Sequence, residues 1–288
     1  MAAVVERQTF TLPRAVAPDV EVFAIGDIHG RTDLLHALLD EAALEPRRRA
    51  KRVIVFLGDL IDRGPDSLGV IDLAAAAGER LGARESIALM GNHEAMMRLT
   101  LDPRTPWDVA LDALANWLRN GGSAVVRQFA DFKAAPSDAE ELLTIIRVTA
   151  PERLRNWMAG LRSHWRSRDV LFVHAGVNPD VGLEEFLAAP WNTPLADLDE
   201  DRHWAWVRWP FLEAEPGPEG FDGVFVVHGH TPNDARQDAS HEDQIARFRL
   251  NLDAGSGATG RAKMAVFRSR EAKVLTALGP TNRMLNSG

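Results

Sequence analysis

The chain has 288 residues, 45% of them apolar and 26% charged, with a formal net charge of −8 and no cysteine. This is a globular composition with enough chain for one large core or two smaller ones. It excludes disulfides and thiolate metal ligands, and the negative balance argues against a nucleic-acid partner, which calls for a basic surface.

The amino-terminal stretch lacks the basic-then-apolar order of a secretory leader, because Glu6 interrupts its one apolar run. No later run approaches the roughly 18 apolar residues needed to cross a bilayer. The expectation is a cytoplasmic protein with no membrane partner. Residues 20–25 predict a strand, followed by a turn and a helix over about 32–44 with Leu34, Leu35, Leu38, Leu39 and Ala42 on one face. The cations Arg47, Arg48, Arg49, Lys51 and Arg52 then read as a solvated helix end, where they suit the helix dipole. Strands are expected at 53–57 and 87–89. From 94 to 167 the pattern is mostly helical, with Asn120-Gly121-Gly122 as a helix stop, Ser137 and Glu140 as a capping box, and Pro151-Glu152 in a first turn. This block reads as a helical insertion, about 95–168, within a single domain spanning 1–288, since its ends run straight into strands. Further strands are expected at 170–173, 224–227, 248–252, 263–267 and 272–275, the last two paired. Loops are expected at 213–223 and 232–243, with a frayed tail at about 279–288. Short apolar runs alternating with amphipathic segments predict an α/β fold.

Five of the strand ends carry polar clusters. They are Gly26-Asp27-Ile28-His29-Gly30, Gly58-Asp59-Leu60-Ile61-Asp62-Arg63-Gly64, Gly91-Asn92-His93-Glu94, His174-Ala175-Gly176 and His228-Gly229-His230-Thr231-Pro232. Sites in open α/β sheets form outside the carboxyl ends of strands, so residues distant in sequence can converge there. Asp, His and Asn without cysteine suit divalent manganese, iron or zinc. Two carboxylates and three imidazoles exceed the needs of one ion, whereas two ions roughly 3.5–4 Å apart, bridged by a carboxylate and a hydroxide, use them all.

These motifs, in this order, resemble the PPP-type serine/threonine phosphoprotein phosphatases, closest to their short bacterial and phage members, within the calcineurin-like metallophosphoesterase superfamily. The resemblance runs from about Val22 to Gly257. It implies two packed mixed β-sheets flanked by helices in four layers. It also implies two divalent metals, manganese foremost: Asp27, His29 and Asp59 at the first, with Asp59 bridging to a second held by Asn92, His174 and His230. His93 is then the general acid, oriented by Asp62, and the bridging hydroxide is the nucleophile. Arg63, Asn92 and Arg208 hold the substrate phosphate. Asp253 and His228 stand behind the ligands, since no second histidine follows His230 at the offset that would add a ligand. His36, His164, His203 and His241 lack such a context and read as surface or helix residues. The implied substrate is a phosphoprotein or a small phosphoester. A dinucleoside polyphosphate hydrolase on the same site is the alternative, and a catalytically silent metal-binding scaffold a remote one.

Overall fold

The computed structural model describes residues 4–130, 135–232 and 240–281. Its strands in chain order are β1 (Val4–Thr11), β2 (Val20–Ile25), β3 (Lys51–Phe56), β4 (Glu85–Ala88), β5 (His164–Ser167), β6 (Val170–Val173), β7 (Phe225–His228), β8 (Arg249–Asn251), β9 (Arg261–Arg268) and β10 (Glu271–Leu278). They form two mixed sheets, ordered β1-β10-β9-β2-β3-β4 and β5-β6-β7-β8. Within them β2, β3 and β4 run parallel, as do β6, β7 and β8.

The sheets pack face to face. Val22 and Ala24 of β2 join Phe172, Phe225, Val227 and Phe267 in the core between them. The alternate residues Phe23 and Ile25 face the other way, against the leucines of α1 (Thr32–Ala43) and Val70, Ala74 and Ala77 of α2 (Ser67–Leu81). Strands buried on both faces read as continuous apolar runs, which is why β2, β3, β6 and β7 are legible without alternation. In α1 the five residues on the expected face are all buried, the four leucines each contributing about 1.5–3 kcal/mol. The outer face of the second sheet, with Leu171, Val173 and Val226, packs against the helices that join β4 to β5. These are α3 (Asn92–Leu101), α4 (Trp107–Trp117), a kinked turn over Leu118–Gly122, α5 (Ser123–Val126), α6 (Ala139–Thr149) and α7 (Glu152–Ala159). Among the described residues no helix is long and apolar enough to cross a membrane.

Several sequence expectations need correction. The helical block stops at Ala159, and residues 164–167 form β5, a short polar edge strand whose pairing with β6 comes from tertiary contact rather than from its own pattern. Residues 4–11, for which no strand is expected, pair along their whole length with β10. The cap of α6 is Asp138, whose side chain accepts from the Glu141 amide, one residue beyond the expected Ser137. Arg52 is not solvated: it lies buried against Glu21 and donates to the carbonyls of Leu81 and Glu45. In the expected loop at 232–243, Ser240 caps a helix over His241–Ala246, while 233–239 lie outside the described residues. Of the expected tail, 282–288 lie outside them too.

Candidate metal centre

All five polar clusters emerge at the carboxyl ends of parallel strands, after β2, β3, β4, β6 and β7. Their backbones are unusual. Nine described residues other than glycine have positive φ, and five of them are His29, Asp59, Asp62, Arg63 and His230. A left-handed conformation costs a residue with a side chain about 1–2 kcal/mol, so it persists only where surrounding bonds impose it. Here they do. The amides of Ile28 and His29 donate to the Asp59 carbonyl at 3.1 and 3.0 Å, and the Gly229 amide donates to that of His174 at 2.7 Å. Glu94 completes the frame: Oε2 accepts from the amides of Asp59 and Gly91 at 2.8 and 2.9 Å, and Oε1 from Leu60 at 2.9 Å. Gly91 has to be glycine, because an added Cβ would sit 2.1 Å from Asp59 Oδ1.

Two candidate ligand triads share Asp59. Its Oδ2 lies 3.8 Å from His29 Nε2 and 3.9 Å from His93 Nε2, while Oδ1 lies 3.5 Å from His174 Nε2. Potential ligand atoms of His29, Asp59 and His93, and separately of Asp59, His174 and His230, lie within 4.8 Å of one another. The outer ring nitrogens are pinned by carbonyls. His29 Nδ1 donates to Ile61 at 2.8 Å, His174 Nδ1 to Leu57 at 2.9 Å and His230 Nε2 to Trp206 at 3.2 Å. Such bonds set the tautomer and leave the inner nitrogen's lone pair facing the centre, as metal ligation requires. Asn92 Oδ1 faces the same point, 3.0 Å from His230 Nδ1 and 3.3 Å from His174 Nε2. Asp27 is buried beside these groups but belongs to neither triad among the described residues; its carboxylate accepts from the His230 amide at 3.2 Å.

His93 Nδ1 is 2.5 Å from Asp62 Oδ2, and its Nε2 accepts from Arg63 at 2.8 Å. Arg63 also donates to His29 Nε2 at 2.9 Å. Burial pushes His93 down to about 4, with Arg63 adding to the effect against the pull of Asp59. Burial likewise holds His29 and His230 well below the ordinary imidazole range. Asp59 is the exception among the carboxylates: against burial, His174 and His93 hold it well below the ordinary carboxylate range, and Asp59 in turn lifts His174 against burial. The other carboxylates move up. Burial drives Asp27 well up, reinforced by Asp253 and Asp59. It drives Asp62 well up against the hydrogen bond from Trp117, and Asp253 to about 6. Five buried carboxylates, those of Asp27, Asp59, Asp62, Glu94 and Asp253, thus gather around four buried imidazoles, of which only His174 is pushed toward its charged form. That donor set is short of positive charge, and divalent cations of the manganese, iron or zinc type fit it.

The remaining expected residues lie nearby. Arg208 is partly exposed and pairs with Glu200 at 3.7 Å; its charge helps hold down His93 and His230 without touching them. Asp253 accepts from the Gly255 amide at 2.8 Å, shaping its own loop. His228 packs edge-on against Phe211 at a centroid distance of 4.9 Å, and burial takes it down to about 3. His203 is buried rather than superficial, with Nε2 on the Pro190 carbonyl at 3.2 Å and Nδ1 accepting from Ala205 at 3.1 Å. Sequence reasoning missed Glu94 and Trp117. The capping position of Glu94, three residues beyond Gly91, is a signal that finds the first; nothing local marks the second, which donates to both oxygens of Asp62 at 2.9 Å.

Fold and site together define an α/β protein whose two sheets meet at a buried histidine–carboxylate centre suited to a pair of divalent cations. More particularly, the chain belongs to the calcineurin-like phosphoesterase family, whose characteristic sequence matches residues 20–255. It is 39% identical over 115 residues to a serine/threonine-protein phosphatase 1 of Salmonella typhimurium, covering 39% of this chain and 44% of that one. It is 32% identical over 167 residues to a symmetrical bis(5'-nucleosyl)-tetraphosphatase of an Acidovorax species, covering 58% and 48%. The chain thus spans about half the length, or less, of these curated relatives. A cold-active protein-tyrosine phosphatase of a Shewanella species shares the fold, with a TM-score of 0.54, 19% identity, and 88% and 78% of the two chains covered.

Proposed function

We propose that the protein hydrolyses phosphate monoesters, with serine/threonine phosphoproteins as substrates and manganese as the working ion, as a single catalytic domain in the cytoplasm. The observation that carries this reading is the Asp59 carboxylate, which turns one oxygen toward each histidine set. In this reading Asp27, His29 and Asp59 hold one cation, and Asp59, Asn92, His174 and His230 the other. When bound, the pair supplies water activated at neutral pH and charge compensation for the phosphoryl oxygens.

The chain's own residues do the rest. Arg63 spans His29 and His93 with two guanidinium nitrogens, a fork that matches two oxygens of a phosphate. A phosphate that takes up Arg63 releases Nε2 of His93. His93, with Asp62 on its far nitrogen, can then take a proton from solvent at Nε2 and pass it to the departing alkoxide. Arg208 adds a second positive group at the rim. The assembled His93, Asp62 and Arg63 weigh against a silent scaffold, which has no use for them. Similarity to symmetrical bis(5'-nucleosyl)-tetraphosphatases over more than half of this chain keeps a dinucleoside polyphosphate as the second reading.

The test is hydrolysis by metal-stripped protein reloaded with manganese, comparing phosphoserine and phosphothreonine peptides with diadenosine tetraphosphate. Phosphate release from the peptides alone supports the proposal. Preference for the dinucleotide retains the centre and overturns the protein substrate, and no hydrolysis of either, or of an aryl phosphate with any divalent ion, overturns the enzyme.

A further inference from the structure

We infer that Trp117 and Gly121, in the helical connection between β4 and β5, are positioning residues for the reaction: Trp117 for the Asp62–His93 pair and Gly121 for Arg63. The inference rests on the acid and phosphate-binding roles proposed above.

Trp117 is fully buried. Its Nε1 lies 2.9 Å from each oxygen of Asp62, whose other side-chain partner is His93 Nδ1 at 2.5 Å. A carboxylate held at one oxygen alone can turn about its Cβ–Cγ bond and take the imidazole with it. An indole N–H shared by both oxygens fixes the carboxylate plane, and so the direction in which His93 Nε2 points. Because indole only donates, it keeps Asp62 an acceptor toward His93.

Trp117 ends α4, and the chain then kinks within Leu118–Gly122 before α5 begins, with Gly121 outside helical geometry. Gly121 there has φ 109°. Its carbonyl accepts from the Arg63 amide at 3.2 Å, and the Asn120 carbonyl from Arg63 Nε at 3.4 Å. A Cβ on Gly121 would sit 2.7 Å from Arg63 Cγ. Arg63 is itself left-handed at φ 62°, a strained conformation for arginine that this contact helps to impose. One stretch of five residues therefore reaches both the acid pair and the phosphate arginine.

The experiment compares manganese-loaded wild type, Trp117→Phe, Gly121→Ala and His93→Asn on phenyl phosphate, a poor leaving group, and 2,4-dinitrophenyl phosphate, a good one. Trp117→Phe is expected to lower kcat about tenfold on phenyl phosphate and by less than about twofold on the dinitrophenyl ester, with KM unchanged. Gly121→Ala is expected to raise KM about tenfold on both esters. Replacement of Trp117 by the isosteric 3-benzothienylalanine, which lacks the N–H, repeats the first result without altering packing. In metal-free protein, the downfield resonance of His93 Nδ1–H should shift in both Trp117 variants and stay in place in Gly121→Ala. Equal loss on both esters, or wild-type behaviour, in the Trp117 variants overturns the Trp117 role; an unchanged KM in Gly121→Ala overturns that of Gly121. If His93→Asn itself shows no leaving-group dependence, the acid assignment falls first, and the positioning inference falls with it.

Discussion

Replacing Glu94 by alanine removes the acceptor of three buried backbone donors, the amides of Asp59, Leu60 and Gly91. Each orphaned donor costs about 1–3 kcal/mol. A water entering the vacated volume recovers one or two of the bonds, which leaves one or two donors orphaned and a net loss of about 1–6 kcal/mol. Glutamine is milder and more informative. Its amide oxygen can take the place of Oε2 and keep two donors, but its NH2 then faces the Leu60 amide and cannot accept. Glu94→Gln should therefore cost about 1–3 kcal/mol, the value of one bond. In a chain of this size each kcal/mol lowers Tm by about 2–4 °C, so the alanine variant should melt about 2–24 °C below wild type and the glutamine variant about 2–12 °C. Because the same bonds hold Asp59 at φ 50°, manganese affinity should fall alongside stability. Thermal melts and calorimetric titration with manganese measure both. An alanine variant melting within about 2 °C of wild type, a shift worth under 1 kcal/mol, would refute the accounting.

Asp59→Asn should weaken manganese binding at both sites by at least about a hundredfold and abolish turnover; calorimetry that finds two ions at wild-type affinity disproves the shared carboxylate. Glu21 is almost wholly buried between Arg52, at 2.7 Å, and Arg268, at 2.5 Å. Glu21→Gln should cost about 3–5 kcal/mol in urea unfolding by leaving buried Arg52 without a carboxylate, while Arg268 keeps Glu45 at 2.6 Å, and a loss below about 1 kcal/mol would mean that water screens Arg52. Burial takes His203 down to about 4, against the hydrogen bond to Pro190. Protonation would also break its Nδ1 bond to the Ala205 amide. With an unfolded value near 6.5 and a lower folded one, its contribution, about 3 kcal/mol, is complete above pH 6.5 and lost as pH falls toward 4. His203→Asn should flatten unfolding stability across that window, and an unchanged slope there argues against it.

Much of the fold was legible because its elements are locally consistent. The apolar face of α1 follows from helical period alone, and β2, β3 and β6 from short apolar runs that lead into the polar motifs. β1 and β5 were hidden because their residues are polar and half exposed, so only pairing with β10 and β6 makes them strands. Arg52 reads as a surface cation within a run of five basic residues, and only the neighbouring strands supply its buried partner Glu21.

The sequence by itself determined which residue types meet at the centre. Each motif follows a strand, and a strand's carboxyl end is a place that local pattern can find. Tertiary structure alone decided how they meet: which oxygen of Asp59, already expected as the bridge, turns toward each histidine set, that Asp27 accepts from the His230 amide, and that Glu94 braces the loop of Asp59. It also brought Trp117 beneath Asp62, 55 positions away in the chain. Such contacts depend on where helices and sheets pack, and packing answers to the shape of the whole core rather than to any one segment.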